Sequence, residues 1–312
     1  MNNIYIYSHE DCLLKNNGIN HPERSERLHT IISSINDIDK LNISNKEAPI
    51  VDLNIVDLIH PKKYIEDIFL KIPKEGLTSV EKEPYADTFL CPSSKNAILR
   101  ACGAGIAAAE NLINNLIKRH FCAIRPPGHH AETARANGFC FINNVAVTAR
   151  YLQKKYQVKK IAIIDFDVHH GNGTQEIFYQ DETVAYGSIH QSPLFPGTGL
   201  EEEVGLGNIY NAPIFKNTNA KDFHLIFDNK ILSNIDKFKP EVIIISAGFD
   251  AHYRDPLAQI NLESEDFYLI TKKIVEIANS HCNGNIISFL EGGYDLIALS
   301  ESIKHHLTAL SE

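Results

Sequence analysis

Apolar positions fall into two rhythms along the chain. Short, nearly unbroken apolar runs occur in "IYIY" from Ile4, "FCAIR" from Phe121, "KIAIIDF" from Lys160, "TVAYGSI" from Thr183, "NIYNAPI" from Asn208, "EVIIISAGF" from Glu241 and "NIISFLEGG" from Asn285. Three of them are near-continuous Val/Ile runs, the pattern of parallel strands covered on both faces. Between them lie stretches whose apolar residues recur every three or four positions: "PERSERLHTIISSINDI", "SSKNAILRACGAGIAAAENLINNLI", "INNVAVTARYLQKKY", "AKDFHLIFDNKILSNI", "SEDFYLITKKIVEIANSH" and a last one from about Asp295. These predict helices, the second opening at Ser caps near Ser93. Strand–helix alternation predicts an α/β fold around a mostly parallel sheet. No linker, low-complexity tract or internal repeat interrupts it, so one domain over residues 1–312 is expected. The stretch from Lys71 to Pro92 follows neither rhythm and predicts a surface excursion.

Composition narrows this picture. With 44% hydrophobic and 22% charged residues, the chain reads as an ordinary globular protein. A formal net charge of -9 argues against nucleic acid as the main partner and leaves a cationic substrate compatible. The six cysteines form no C-x-x-C pair and sit mostly in apolar runs, as reduced core residues would. "MNNIYIYSHE" lacks a basic segment followed by a long apolar one, so no secretory signal is expected. No run approaches the roughly 18 apolar residues of a membrane span. A cytoplasmic location is expected, with export to a host as the alternative if the source is a pathogen.

The chemistry lies where the apolar runs end. "IAIIDFDVHHGNGTQ" passes from a buried strand into Asp165, Asp167, His169 and His170. Ligands of parallel sheets bind beyond the carboxyl ends of the strands. Residues at i, i+2 and i+4 of a strand share a face, so Asp165, Asp167 and His169 point into that crevice. Carboxylates crowded there repel unless a cation joins them. "VIIISAGFDAH" ends likewise at Asp250, which offers a third ligand or, in the plainer reading, a helix cap. Three protein ligands with an open position is the catalytic arrangement for zinc. "RPPGHHAE" adds His129 and His130, natural general base and acid beside a metal site. "LEGGYD" adds Tyr294 after two glycines that permit close backbone approach, placing a hydroxyl to donate to an oxyanion. G-x-G-x-x-G and G-K-[ST] are absent, which excludes nucleotide binding.

Taken together, "HPERSERL", "RPPGHHA", "GFCFINNVA", "DFDVHHGNGTQ", "SIHQSPLFPGTG", "SAGFDAHYRDPLAQINL" and "LEGGYDL" resemble the zinc-dependent histone deacetylase family, in its class II-like branch with the bacterial deacetylase-like amidohydrolases. The resemblance covers nearly the whole chain, in family order. It implies an arginase-like three-layer α/β sandwich with about eight strands, and hydrolysis of N-ε-acetyl-lysine. It assigns Asp167, His169 and Asp250 to the zinc, His129 and His130 to the tandem histidines, and Asp165 to orienting the first of these. Tyr294 becomes the oxyanion tyrosine. Asn172 stands where class I members carry an acid, which implies a less basic His130. Phe139 and Phe195 wall the tunnel for the lysine stem, Gly138 sits beside them, and Leu257 takes the gatekeeper position, where leucine argues against polyamines. Arg27 matches an inner-channel arginine. A potassium ion is implied near Asp165, Asp167, His169, Ser188 and Ile189. The acidic rim residue of class I members is not kept in register in "YADTFLCPSS", and Asp87 is not expected to replace it.

The sequence leaves three rival readings. They are an amidohydrolase of acetylpolyamines, other small N-acyl amines or longer acyl-lysines; an arginase-like two-manganese enzyme, for which the ligands are too few; and a non-catalytic acyl-lysine reader. The ligand set suits zinc and ferrous iron alike.

Overall fold

The computed structural model describes residues 2–36, 38, 41–81, 86–114 and 117–312. Ten strands are described: β1 (Ile4–Ser8), β2 (Ile43–Glu47), β3 (Thr78–Ser79), β4 (Phe89–Leu90), β5 (Arg119–Cys122), β6 (Ile161–Asp165), β7 (Val184–Gln191), β8 (Ile209–Ile214), β9 (Val242–Ala247) and β10 (Ile286–Leu290). Eight form one sheet in the order β2-β1-β5-β10-β9-β6-β7-β8. Every neighbouring pair is parallel. β3 and β4 make a small antiparallel pair within the 71–92 excursion; residues 82–85 of that excursion lie outside the described residues. Helices flank the sheet, giving the expected arginase/deacetylase-like α/β architecture. No described helix is long and apolar enough to cross a membrane.

All seven expected sheet strands are present. The eighth, β2, reads "ISNKE" and was not legible as a strand, because it lies on the sheet edge with its last three residues exposed. Edge strands carry polar and charged residues without cost. The central strands are the opposite case. β6, β9 and β10 are buried along their whole length, and Ile243, Ile244 and Ile245 are each fully buried. Truncating one of these isoleucines to alanine costs about 2–5 kcal/mol.

The expected helices also form, with differences at their ends. The helix expected from Ser93 to Ile117 spans Ser94–Ile113, and positions 115 and 116 lie outside the described residues. Ser93 stands at its cap position, but its hydroxyl donates to the Leu14 carbonyl instead of capping. Asn143 and Asp295 do cap: their side chains accept from the N–H of Ala146 and Ala298 and set the starts of Asn144–Tyr156 and Leu296–Leu310. The helical stretch 220–238 passes through a wider, π-helical turn at Phe227–Leu232. All six cysteines are free and buried.

Candidate active site

Four adjacent strands, β5, β10, β9 and β6, deliver their carboxyl-terminal extensions to one place. β6 stops at Asp165, so the strand geometry expected to run on to His169 is replaced by successive side-chain turns. The N–H of Asp167 donates to Asp165 Oδ1 at 3.1 Å, and the N–H of His169 donates to Asp167 Oδ1 at 2.9 Å. Each is a carboxylate closing a turn on the backbone two residues ahead. From β9, Asp250 accepts the Val168 N–H at 2.9 Å. From β10, the Gly292 N–H donates to Asp167 Oδ2 at 2.7 Å. A Cβ at position 292 would lie 2.1 Å from Asp250 Oδ2, so only glycine fits this approach.

These bonds bring three ligand atoms together. His169 Nδ1 lies 3.1 Å from Asp167 Oδ1 and 3.1 Å from Asp250 Oδ2. Ligand atoms of the three residues fall within 4.8 Å of one another, and all three residues are buried. Two atoms at tetrahedral angles around one zinc ion lie about 3.3 Å apart. Two buried carboxylates and one imidazole thus have the spacing and the charge for a divalent cation. Asp165 is not part of this cluster. Its Oδ2 lies 3.1 Å from His129 Nδ1 and accepts the Tyr186 hydroxyl at 3.0 Å.

The tandem histidines pack with ring centres 3.9 Å apart and planes tilted by 43°, yet their backings differ. His129 Nδ1 faces the Asp165 carboxylate, whereas His130 Nδ1 faces the amide oxygen of Asn172 at 2.9 Å. Among the protein's own groups, burial opposes charge on His129, but the Asp167 and Asp165 carboxylates outweigh it and push that imidazole up to about 10. Burial, with His129 and His169 alongside, holds His130 well below the ordinary histidine range.

Several supporting groups, Arg27 excepted, were not singled out in the sequence. Glu291 directly follows the apolar run of β10 and is fully buried. Its Oε2 accepts the N–H groups of Gly128 and His129 at 2.7 and 3.2 Å, and its Oε1 accepts the Ser246 hydroxyl. Burial pushes its carboxyl up to about 7. Arg27 is fully buried, not on a helix surface. Its guanidinium lies 4.8 Å from the centre of the Tyr294 ring, and it donates to the Gly293 and Glu291 carbonyls at 2.6 and 2.5 Å. Glu23 bridges Arg27 to the buried Arg125. Asp255 Oδ2 accepts the Tyr294 N–H at 2.7 Å, and Asp255 Oδ1 accepts the Leu257 N–H at 2.9 Å. Burial and the nearby Asp250 push the Asp255 carboxyl up to about 7. A charged residue next to a buried run, as at Glu291, was the available signal for such groups.

A cleft of about 270 Å³ opens over this floor. His130, His169 and Tyr294 line it, together with the expected tunnel residues Gly138, Phe139, Phe195 and Leu257. Gly138 and Phe139 both take positive φ, at 52° and 68°, and a Cβ at 138 would lie 2.4 Å from the His130 ring. The Phe139 N–H donates to the buried Thr88 hydroxyl at 3.0 Å, and that hydroxyl donates to Asp87 Oδ1 at 2.8 Å. Asp87 itself lines the cleft. Its place there is not legible in the sequence, because the anchor is a side-chain link across 51 residues. Burial, then the Glu81 carboxyl, push Asp87 up to about 6. Ser188 on β7 pairs in register with Asp165 of β6, Ile189 follows it on β7, and both are fully buried.

The whole chain has relatives. A profile of the histone deacetylase domain matches residues 21–310. A probable deacetylase of Archaeoglobus fulgidus is 34% identical over 93% of this chain and 81% of its own length. Histone deacetylase 10, chloroplastic, of Oryza sativa is 35% identical over 91% of this chain and 68% of its own. Type-2 histone deacetylase 2 of Dictyostelium discoideum is 35% identical over 99% of this chain, which spans only 21% of that protein's length. The crystal structure of the HDA15 HD domain superposes with a TM-score of 0.91 at 30% identity, over 99% of this chain and 88% of that one. By the profile match and by the identity sustained over most of the archaeal relative, this chain belongs to the histone deacetylase family.

Proposed function

We propose that this chain is one zinc-dependent catalytic domain that hydrolyses the amide of N-ε-acetyl-lysine in proteins or peptides, releasing acetate and free lysine. The observation that carries the reading is the cluster of Asp167, His169 and Asp250, with two histidines and a tyrosine at the floor of an aromatic-walled cleft. Asp167, His169 and Asp250 would hold the metal. When bound, the ion polarises the amide carbonyl and acidifies water.

The chain's own groups do the rest. His129 and His130 hold the attacking water, and His130 Nε2 accepts its proton. His130, tied at Nδ1 to Asn172, uses Nε2 to deliver a proton to the leaving lysine nitrogen. Asp165 orients His129. The Tyr294 hydroxyl donates to the oxygen that gains charge. Burial holds that hydroxyl well above the ordinary phenol range, which keeps it a donor. Phe139 and Phe195 flank the four methylenes of the lysine stem. Leu257 offers no counter-charge to a polyamine, which favours acyl-lysine. Asp87, at the same cleft, accepts an N–H from the substrate backbone. The arginine at position 27 serves the Gly293–Tyr294 turn through its three partners. A structural potassium ion would sit by Asp165, Asp167, His169, Ser188 and Ile189. The free buried thiols suit the reducing cytoplasm.

The test is hydrolysis of an acetyl-lysine reporter peptide by zinc-loaded protein, with Tyr294→Phe alongside. Turnover should fall by about 10²–10³ in the variant, the scale of one oxyanion donor. A variant as fast as wild type would remove Tyr294 from the chemistry. No turnover by fully metallated wild type would move the substrate to longer acyl-lysines or small N-acyl amines.

A further inference from the structure

We propose that Glu132 is a positioning residue that fixes the tautomer of His130 by orienting Asn172. The inference rests on the deacetylase reading for its kinetic consequences and on geometry alone for its structural one. An asparagine amide offers an acceptor oxygen and a donor nitrogen of nearly the same shape, and turning it over reverses what its neighbour meets. Asn172 Oδ1 lies 2.9 Å from His130 Nδ1. Asn172 Nδ2 lies 2.7 Å from Glu132 Oε1 and 3.5 Å from the carbonyl of His130. A carboxylate and a carbonyl only accept. The nitrogen must therefore face Glu132, and the oxygen is left for the imidazole.

The rest follows from hydrogen counting. A neutral imidazole that meets an acceptor at Nδ1 carries its hydrogen there, so Nε2 keeps a lone pair. That lone pair is what a base acting on water needs. With Asn172 turned over, its nitrogen would force the hydrogen onto Nε2, and its oxygen would face a carboxylate.

Glu132 is placed for this work and no other at the site. It is absent from the residues lining the cleft. Its backbone pairs with Arg135 in both directions, at 3.0 and 3.4 Å, and Arg135 Nη1 lies 3.7 Å from its Oε1. His129 needs no such intermediary, because a carboxylate, Asp165, meets it directly and has no donor end to turn. Position 130 receives orientation from a carboxylate while a neutral amide stands between them.

The experiment uses the metal-loaded full chain with ¹⁵N-labelled histidine. It compares wild type, Glu132→Leu, Glu132→Gln, Asn172→Asp and the Glu132→Leu/Asn172→Asp double variant. In Glu132→Leu the ¹⁵N shifts of His130 should report a mixture of tautomers. On the acetyl-lysine reporter peptide its kcat should fall about 10-fold, the lower end for a group supporting a metal-site residue, with KM unchanged. Glu132→Gln, whose amide oxygen can still accept from Asn172, should restore both. In the Asn172→Asp background Glu132→Leu should cost nothing, since a carboxylate at 172 has no orientation to choose. An unchanged tautomer in Glu132→Leu, or an equal loss in both backgrounds, would overturn the proposal. Loss of metal content or of fold in both position-132 variants would do the same, by making Glu132 structural. An inert but fully metallated wild type would sink the deacetylase reading instead, and the tautomer shifts would still decide the role of Glu132.

Discussion

The floor of the cleft and its mouth are built on different terms. At the floor, Asp167, Asp250, His129, His130 and His169 are at most 8% exposed. Both oxygens of Asp165, of Asp167 and of Asp250 are engaged, by N–H groups of the same segment or by groups from neighbouring strand ends. Their spacing is inherited from the register of a parallel sheet. At the mouth, Phe195 is 41% exposed, and the walls come from loops separated by long stretches of chain. Single side-chain links hold them, such as Thr88 to Phe139 and Asp255 to Leu257. The difference teaches where each property resides. On the proposed reading, the reaction would depend on an over-determined floor, and the choice of amide on a mouth with few constraints.

Substitutions can break or sharpen that contrast. Asp250→Ala should have the largest effect. It leaves two ligands, so metal analysis should find the ion lost and reporter turnover should fall below detection. Retained metal with retained turnover would show that the floor is less constrained than its geometry implies. Tyr294→Phe comes next, with metal content unchanged while turnover drops, which separates holding the ion from completing the reaction. Leu257→Glu should act on choice. A partly exposed ion pair contributes up to about 1 kcal/mol, ~fivefold, so kcat/KM for an acetylated diamine should rise by that factor relative to the neutral peptide. Asp87→Asn should be smallest, raising peptide KM about threefold, the scale of one hydrogen bond. Burial raises the Asp87 pKa to about 6, so the acid is neutral below that pH and becomes a carboxylate above it. Wild-type KM should therefore fall as pH rises through 6, and the variant's KM should stay flat. A flat wild-type profile would take Asp87 out of substrate contact.

The same contrast governs what could be read from the sequence. Strand ends announce the floor, because a run such as "VIIISAGFDAH" puts its charged residues where an apolar run stops, and the sheet then collects them. β2 escaped notice because edge position, not residue type, makes it a strand. Glu23, Arg125, Glu291 and Asp255 escaped because their roles rest on partners far away in the chain. Arg125 reaches Glu23 across 102 residues, and Asp255 reaches Tyr294 across 39. Periodicity carries no information about such pairs. Asp87 belongs with them, as its place at the mouth follows from the Thr88 hydroxyl beneath Phe139.

Asp255 holds Leu257, the proposed gatekeeper, with one oxygen and Tyr294 with the other. On the proposed reading, selectivity and rate would thus be epistatic through a single side chain. In a library that randomises 254–258 together, most clones would lose rate at position 255 and so hide any gain in selectivity at 257. Variation confined to 257, with Asp255 held, gives the accessible route to new substrates.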